Sequence, residues 1–164
     1  MDVFALLLLA TGLAFATPDG WKSSSPTSSM RVAEFTLPRA AGDGEDGVLI
    51  VYYFGGSGGS VDANMQRWIG QMQQADGKPS SAVAKKESRQ VNGLTVSLVD
   101  VSGTYTAEMS PGSTTHVNKP RFRMRAGVVE TSKGPYFIKL TGPAQTIAKW
   151  DAAFNQFVNS FRFQ

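Results

Sequence analysis

Two stretches of this chain combine residue types and spacing that suit chemistry, and both suit the holding of an anion. Residues 55–60 read GGSGGS, directly after an apolar run and directly before a helical pattern. Backbone N–H groups around Gly56, Gly58 and Gly59, with the Ser60 hydroxyl at the helix start, can cradle a negative group, and the helix dipole adds to the attraction. The loop is not a P-loop, because no Gly-Lys-Ser/Thr follows, and Val61 stands where G-x-G-x-x-G needs its last glycine. The same glycines serve a plain strand-to-helix turn that needs positive φ, and the missing motif favours that reading.

The second stretch alternates Arg121, Arg123 and Arg125 with Phe122 and Met124. On a strand this puts three guanidinium groups on one face and the apolar side chains on the other. Such a stripe fits phosphate, an acidic polymer or an acidic protein surface. It equally fits the solvated face of an edge strand, where charge discourages aggregation, and this plainer reading is favoured. No aromatic side chain shares the arginine face, which argues against nucleic acid.

Other chemistry finds little support. His116 is the sole histidine, in the loop SPGSTTHVNKP, and a triad with a serine and Asp100 would lack any G-x-S-x-G elbow. No catalytic residue is assigned. With one histidine and no cysteine, the chain offers no thiolate metal site and no disulfide framework. Asp43, Glu45 and Asp46 lie in GDGEDG without EF-hand spacing and read as an acidic turn. No cofactor or metal is expected.

The elements that must position these residues follow from periodicity. Residues 32–37 alternate apolar and polar and read as a strand. Residues 48–54, VLIVYYF, are apolar on both faces, so they predict a central strand with helices packed over both sides. Val61, Met65, Trp68, Ile69, Met72 and Ala75 have helical spacing behind Ser60 as N-cap. Residues 83–91 and 94–101 form a hairpin about Asn92-Gly93, a pair suited to a turn with positive φ at both positions. Residues 121–131 and 136–141 form another about Lys133-Gly134-Pro135. A terminal helix after Pro143 puts Ile147, Trp150, Phe154, Phe157, Val158 and Phe161 on one face. The order is β-β-α-β-β-β-β-α, an α+β fold with an antiparallel sheet under helical cover. Trp68 and Trp150 belong to the core, whereas Trp21 packs across the domain or meets a partner.

Residues 3–16, VFALLLLATGLAFA, are too short to span a membrane, and Ala14-Phe15-Ala16 fits signal-peptidase cleavage before Thr17, although Asp2 replaces the usual basic start. The expected division is a signal peptide at 1–16, a serine-rich linker or coil at 17–30, and one domain at 31–164. A net charge of +3 permits anionic partners without demanding them. The expected location is periplasmic or secreted, without a stable membrane anchor.

The VLIVYYF strand, the helix with Gln66-Arg67-Trp68, the hairpins and the closing TGP…F…FVNSFR together resemble the PsbP-like fold group over residues 30–163. That group contains photosystem accessory proteins, a nuclear-import factor that binds the GTPase Ran, and exported bacterial proteins of unknown role. The resemblance implies an α/β/α sandwich with a binding or accessory role, and it supplies no catalytic residues. The expectation is an exported, non-enzymatic binding protein whose partner is a protein or a small anionic ligand. One alternative is an anion- or nucleotide-like ligand module built from the glycine loop and the arginine strand, which must then lie together. A hydrolase with a non-standard site is the third reading.

Overall fold

The computed structural model of the chain describes residues 12–164. Strands β1 (Leu13–Ala14), β2 (Lys22–Ser24), β3 (Arg31–Leu37) and β4 (Gly47–Tyr53) precede helix α1 (Val61–Gly70). Then come β5 (Met72–Gln73), a 3-10 turn (Ser80–Ala82), β6 (Lys85–Val91), β7 (Leu94–Tyr105), β8 (Lys119–Thr131) and β9 (Gly134–Pro143). Helices α2 (Ala144–Lys149) and α3 (Asp151–Asn159) lead to β10 (Arg162–Phe163). Among the described residues, the main sheet is antiparallel in the order β2-β3-β4-β9-β8-β7-β5, with β6 also paired to β7. This is the α+β architecture that the hairpin signals predict.

Strand alternation sorts the side chains into two apolar layers. On one face Leu49, Val51, Ile138, Leu140 and Val96 pack beneath Ile147, Phe154 and Phe157 of the C-terminal helices. Burial of each large side chain here contributes about 2–3 kcal/mol. On the other face Met65, Trp68 and Ile69 of α1 cover Val99, Val101, Met124 and Phe137. Ser60 caps α1, its hydroxyl accepting from the Ala63 N–H at 3.1 Å. Asn92 and Gly93 both take positive φ, 49° and 80°, as a tight hairpin requires.

Several expectations change. The terminal helix breaks at Trp150, whose indole N–H donates to the Pro38 carbonyl at 2.8 Å, and Phe161 is buried beyond the helix end. Helix α1 stops at Gly70, so Met72 and Ala75 lie outside it. Strand β8 is interior, between β7 and β9, so the arginines are not on an edge. The serine-rich stretch carries β2, and Trp21 is buried against Phe35 and Phe157. Residues 1–11 of the expected signal peptide lie outside the described residues. Its last five, 12–16, pair and pack: Leu13–Ala14 meets Arg162–Phe163, and the Phe15 ring lies 5.0 Å from that of Phe157. Cleavage before Thr17 would remove this strand. No described helix is long and apolar enough to cross a membrane.

Candidate binding cleft

Strand β4 is apolar on both faces, yet only one face is covered. Helix α1 is ten residues long and roofs only part of the second layer. What it leaves open is a cleft of about 1350 Å³ over β4 and the end of β9. Val48, Ile50 and Tyr52 point into it with strand periodicity, and Phe54 continues the row. Val48 is 42% exposed and Phe54 37%. Two further exposed apolar side chains join the lining, Met30 at 56% before β3 and Met109 at 64% in the loop after β7. The prediction that helices cover both faces of VLIVYYF is therefore corrected.

The floor of the cleft is cationic. Lys139 pairs in register with Ile50, and Thr141 with Val48. The Lys139 ammonium donates to Gln71 Oε1 at 2.7 Å and lies 5.1 Å from the Tyr105 ring centre. Arg67, on the α1 wall, donates to Asn64 Oδ1 at 2.7 Å. Among the described residues no carboxylate pairs with either cation. Burial, with the Arg67 charge adding to it, holds the Lys139 pKa down to about 8. Burial, with a smaller contribution from Tyr52, pushes the Tyr105 hydroxyl up to about 12, so it remains a neutral donor. Arg31 differs, being paired with Glu34 at 3.0 Å and lying over the Tyr52 ring.

The arginine stripe and the glycine loop lie elsewhere. Arg123 donates to both oxygens of Asp100, at 2.8 and 2.7 Å, and to Asp151 at 2.9 Å. Arg125 reaches Asp151 at 3.1 Å and stacks 4.3 Å above the Phe154 ring centre. These two arginines pin the start of α3 to β7 and β8. For Asp100, burial acts to raise the pKa, but the Arg123 bond and the charges of Arg123 and Arg125 outweigh it, and the net direction is down. The Asp100 bonds raise the Arg123 pKa, whereas burial lowers that of Arg125. Arg121 is separate and exposed, with φ at 55°. Arg123 and Arg125 are thus a neutralised brace, and Arg121 stands apart from it.

The glycine loop is a strand-to-helix turn whose Gly58 and Ser60 carbonyls are bonded by Asn64. Gly56, Gly58 and Gly59 all take positive φ, and a Cβ on Gly58 would stand 2.5 Å from the Phe137 ring. Asn64 donates from its side-chain amide to the carbonyls of Gly58 and Ser60, at 2.9 and 2.8 Å. Gly56 abuts Gly134 at the start of β9, whereas Arg125 pairs with Leu140. Six residues of strand, about 20 Å, separate them. Phe137 belongs to the α1 layer and Arg125 stacks on Phe154 of α3, so the two features also lie on opposite faces. They do not form one anion site.

His116 lines the cleft, and its Nδ1 donates to the Thr106 carbonyl at 2.7 Å. Asp100 sits on the other face with Arg123, so the two do not assemble a triad. The acids of the GDGEDG turn are all engaged: Asp43 accepts from Thr146, Glu45 pairs with Lys119, and Asp46 pairs with Arg39. Among the described residues, no group of three potential ligands is placed to hold a metal ion. The signal that marks the cleft in the sequence is VLIVYYF itself, read without assuming that α1 covers it.

No protein-family model matches the chain, and no curated protein matches it in sequence. Solved structures are similar over nearly its whole length. PA94 of Pseudomonas aeruginosa, a protein of unknown function, superposes with a TM-score of 0.55 at 13% identity, covering 93% of this chain and 97% of that one. Cyanobacterial PsbP (CyanoP) of Synechocystis gives a TM-score of 0.49 at 11% identity, covering 96% and 95%. The likeness to PA94 establishes a shared fold and carries no function with it.

Proposed function

We propose that the chain is an exported, non-enzymatic binding protein, and that the cleft over β4 holds its partner. One observation carries this reading: the row Val48, Ile50, Tyr52 and Phe54 lines an open cleft instead of a core. An apolar face left bare on a folded domain marks a site for something that covers it. The His116 Nδ1 is engaged by the Thr106 carbonyl, which argues against its use as a base. Export is supported by the apolar run at 3–16 and its small-x-small ending.

The chain has no cysteine, so Val48→Cys gives a single attachment point for a cross-linker. In the native cell extract, adducts at this position and none at an exposed Lys86→Cys on β6 are expected. Equal labelling at both positions would sink the cleft as the binding site. For export, mass spectrometry of the protein from its native host should find the processed N-terminus at Thr17. An intact Met1 in the cytoplasm would overturn export, and a start at or before Gly12 would keep export but return β1 to the fold.

A further inference from the structure

We propose, resting on the cleft reading above, that the partner is a protein presenting an extended acidic peptide segment, its carboxylate between Lys139 and Arg67 and its apolar side chains on the Val48–Phe54 row. Shape favours a peptide. From Val48 to Phe54 the row runs about 20 Å, the length of six extended residues. The cleft is also larger than the roughly 300–1,000 Å³ typical of small-molecule pockets. Its rim carries Met30 and Met109, flexible side chains that adapt to a peptide surface.

Charge selects the class of peptide. Lys139 and Arg67 lack acidic partners among the described residues, while Arg31 is already neutralised by Glu34. A buried cation beside apolar side chains is unfavourable until an anion joins it, so an incoming carboxylate is held by a charge-assisted hydrogen bond. Two free cations match one or two carboxylates. They are too few for a nucleic-acid backbone, whose binding rests on many neutralised phosphates. Lys139 lies in register with Ile50, so the acid would sit beside an apolar neighbour.

The test is selection of a displayed random octapeptide library against the full chain, followed by titration of the selected peptides and, separately, of dodecanoate. A fluorophore on Ser28→Cys, at the exposed rim outside that row, reports occupancy. The expected result is peptides carrying Asp or Glu among apolar residues. Their binding should weaken about tenfold or more with Lys139→Gln, and similarly when the acid is replaced by its amide. Lys139→Gln removes the charge without inserting another, and a circular-dichroism melt checks that it folds. Selected peptides without acids, peptides indifferent to Lys139→Gln, or no enrichment would each overturn the proposal. If dodecanoate alone changes the Ser28 signal, the peptide class falls and the cleft stands. If neither probe changes it, both fall.

Discussion

Lys139 stands opposite Ile50 in the β4–β9 ladder, a cation without an acidic partner among the described residues, beside an apolar side chain on the half of the sheet that α1 leaves open. The partly buried arginines Arg31, Arg89, Arg123 and Arg125 are all tied to carboxylates, and Lys139 is not. A group that costs stability in the free protein is accounted for when it meets a ligand.

Replacing Lys139 by Met should stabilise the free protein at pH 7, by about 1 kcal/mol or 2–4 °C in melting temperature. The pH dependence has a definite sign. Burial lowers the lysine pKa to about 8, so the folded chain sheds this proton before the unfolded chain does, near 10.4. Below pH 8 the penalty is fully present, and it is relieved as the pH rises from 8 towards 10.4. Scanning fluorimetry should show the gap between wild type and variant closing over that window. A variant less stable than wild type at pH 7 would contradict the assignment.

Asp100 gives a slope of the same sign, in the acid range. Its pKa is depressed in the fold, so its contribution is present above about 3.9 and is lost as the pH falls through the depressed value. Asp100→Ala leaves Arg123 and Arg125 short of an anion and should cost about 2–3 kcal/mol at pH 7 by urea unfolding, discounted from a fully buried pair because Asp100 is partly exposed. The difference from wild type should shrink at acid pH. A constant difference down to pH 2 would show that the brace is not ionic.

The glycine loop separates a packed position from an open one. In Gly58→Ala the new Cβ meets the Phe137 ring at φ +123°, and a loss of about 3 kcal/mol is expected. Gly55→Ala meets no neighbour at φ +67° and should cost about 1 kcal/mol. Thermal melts with and without phosphate check the role as well: if phosphate stabilises the wild type and not the variants, the loop is an anion site after all.

Removing residues 1–16 should cost about 4–5 kcal/mol, because Leu13 and Phe15 leave the aromatic layer around Phe157 and Phe161. Comparing chains that begin at Gly12 and at Thr17 by thermal unfolding measures this. Equal melting temperatures would mean that β1 is dispensable.

The parts of the fold written in local periodicity were legible: the Asn92-Gly93 hairpin, the Ser60 cap and the apolar face carrying Phe154 and Phe157. The arginine alternation was legible too, but its meaning was not. Its partners Asp100 and Asp151 come from β7 and α3, and nothing in the spacing of one strand announces carboxylates supplied by others. The cleft was half legible. VLIVYYF showed that β4 needs cover on both faces, but the length of α1 decided how much it receives, and that helix ends at Gly70 rather than near Ala75. Strands β1, β2, β5 and β10 are two or three residues long and leave no periodic trace.

The short ribbon of β1 and β10 bears on when the protein can fold. Gly12 and Gln164 exchange hydrogen bonds in both directions, each at 3.0 Å, so the first described strand has its partner in the final residues. A chain emerging from the ribosome cannot complete this ribbon until residue 164 is free. Residues 12–14 therefore stay without this partner until residues 162–164 have been made.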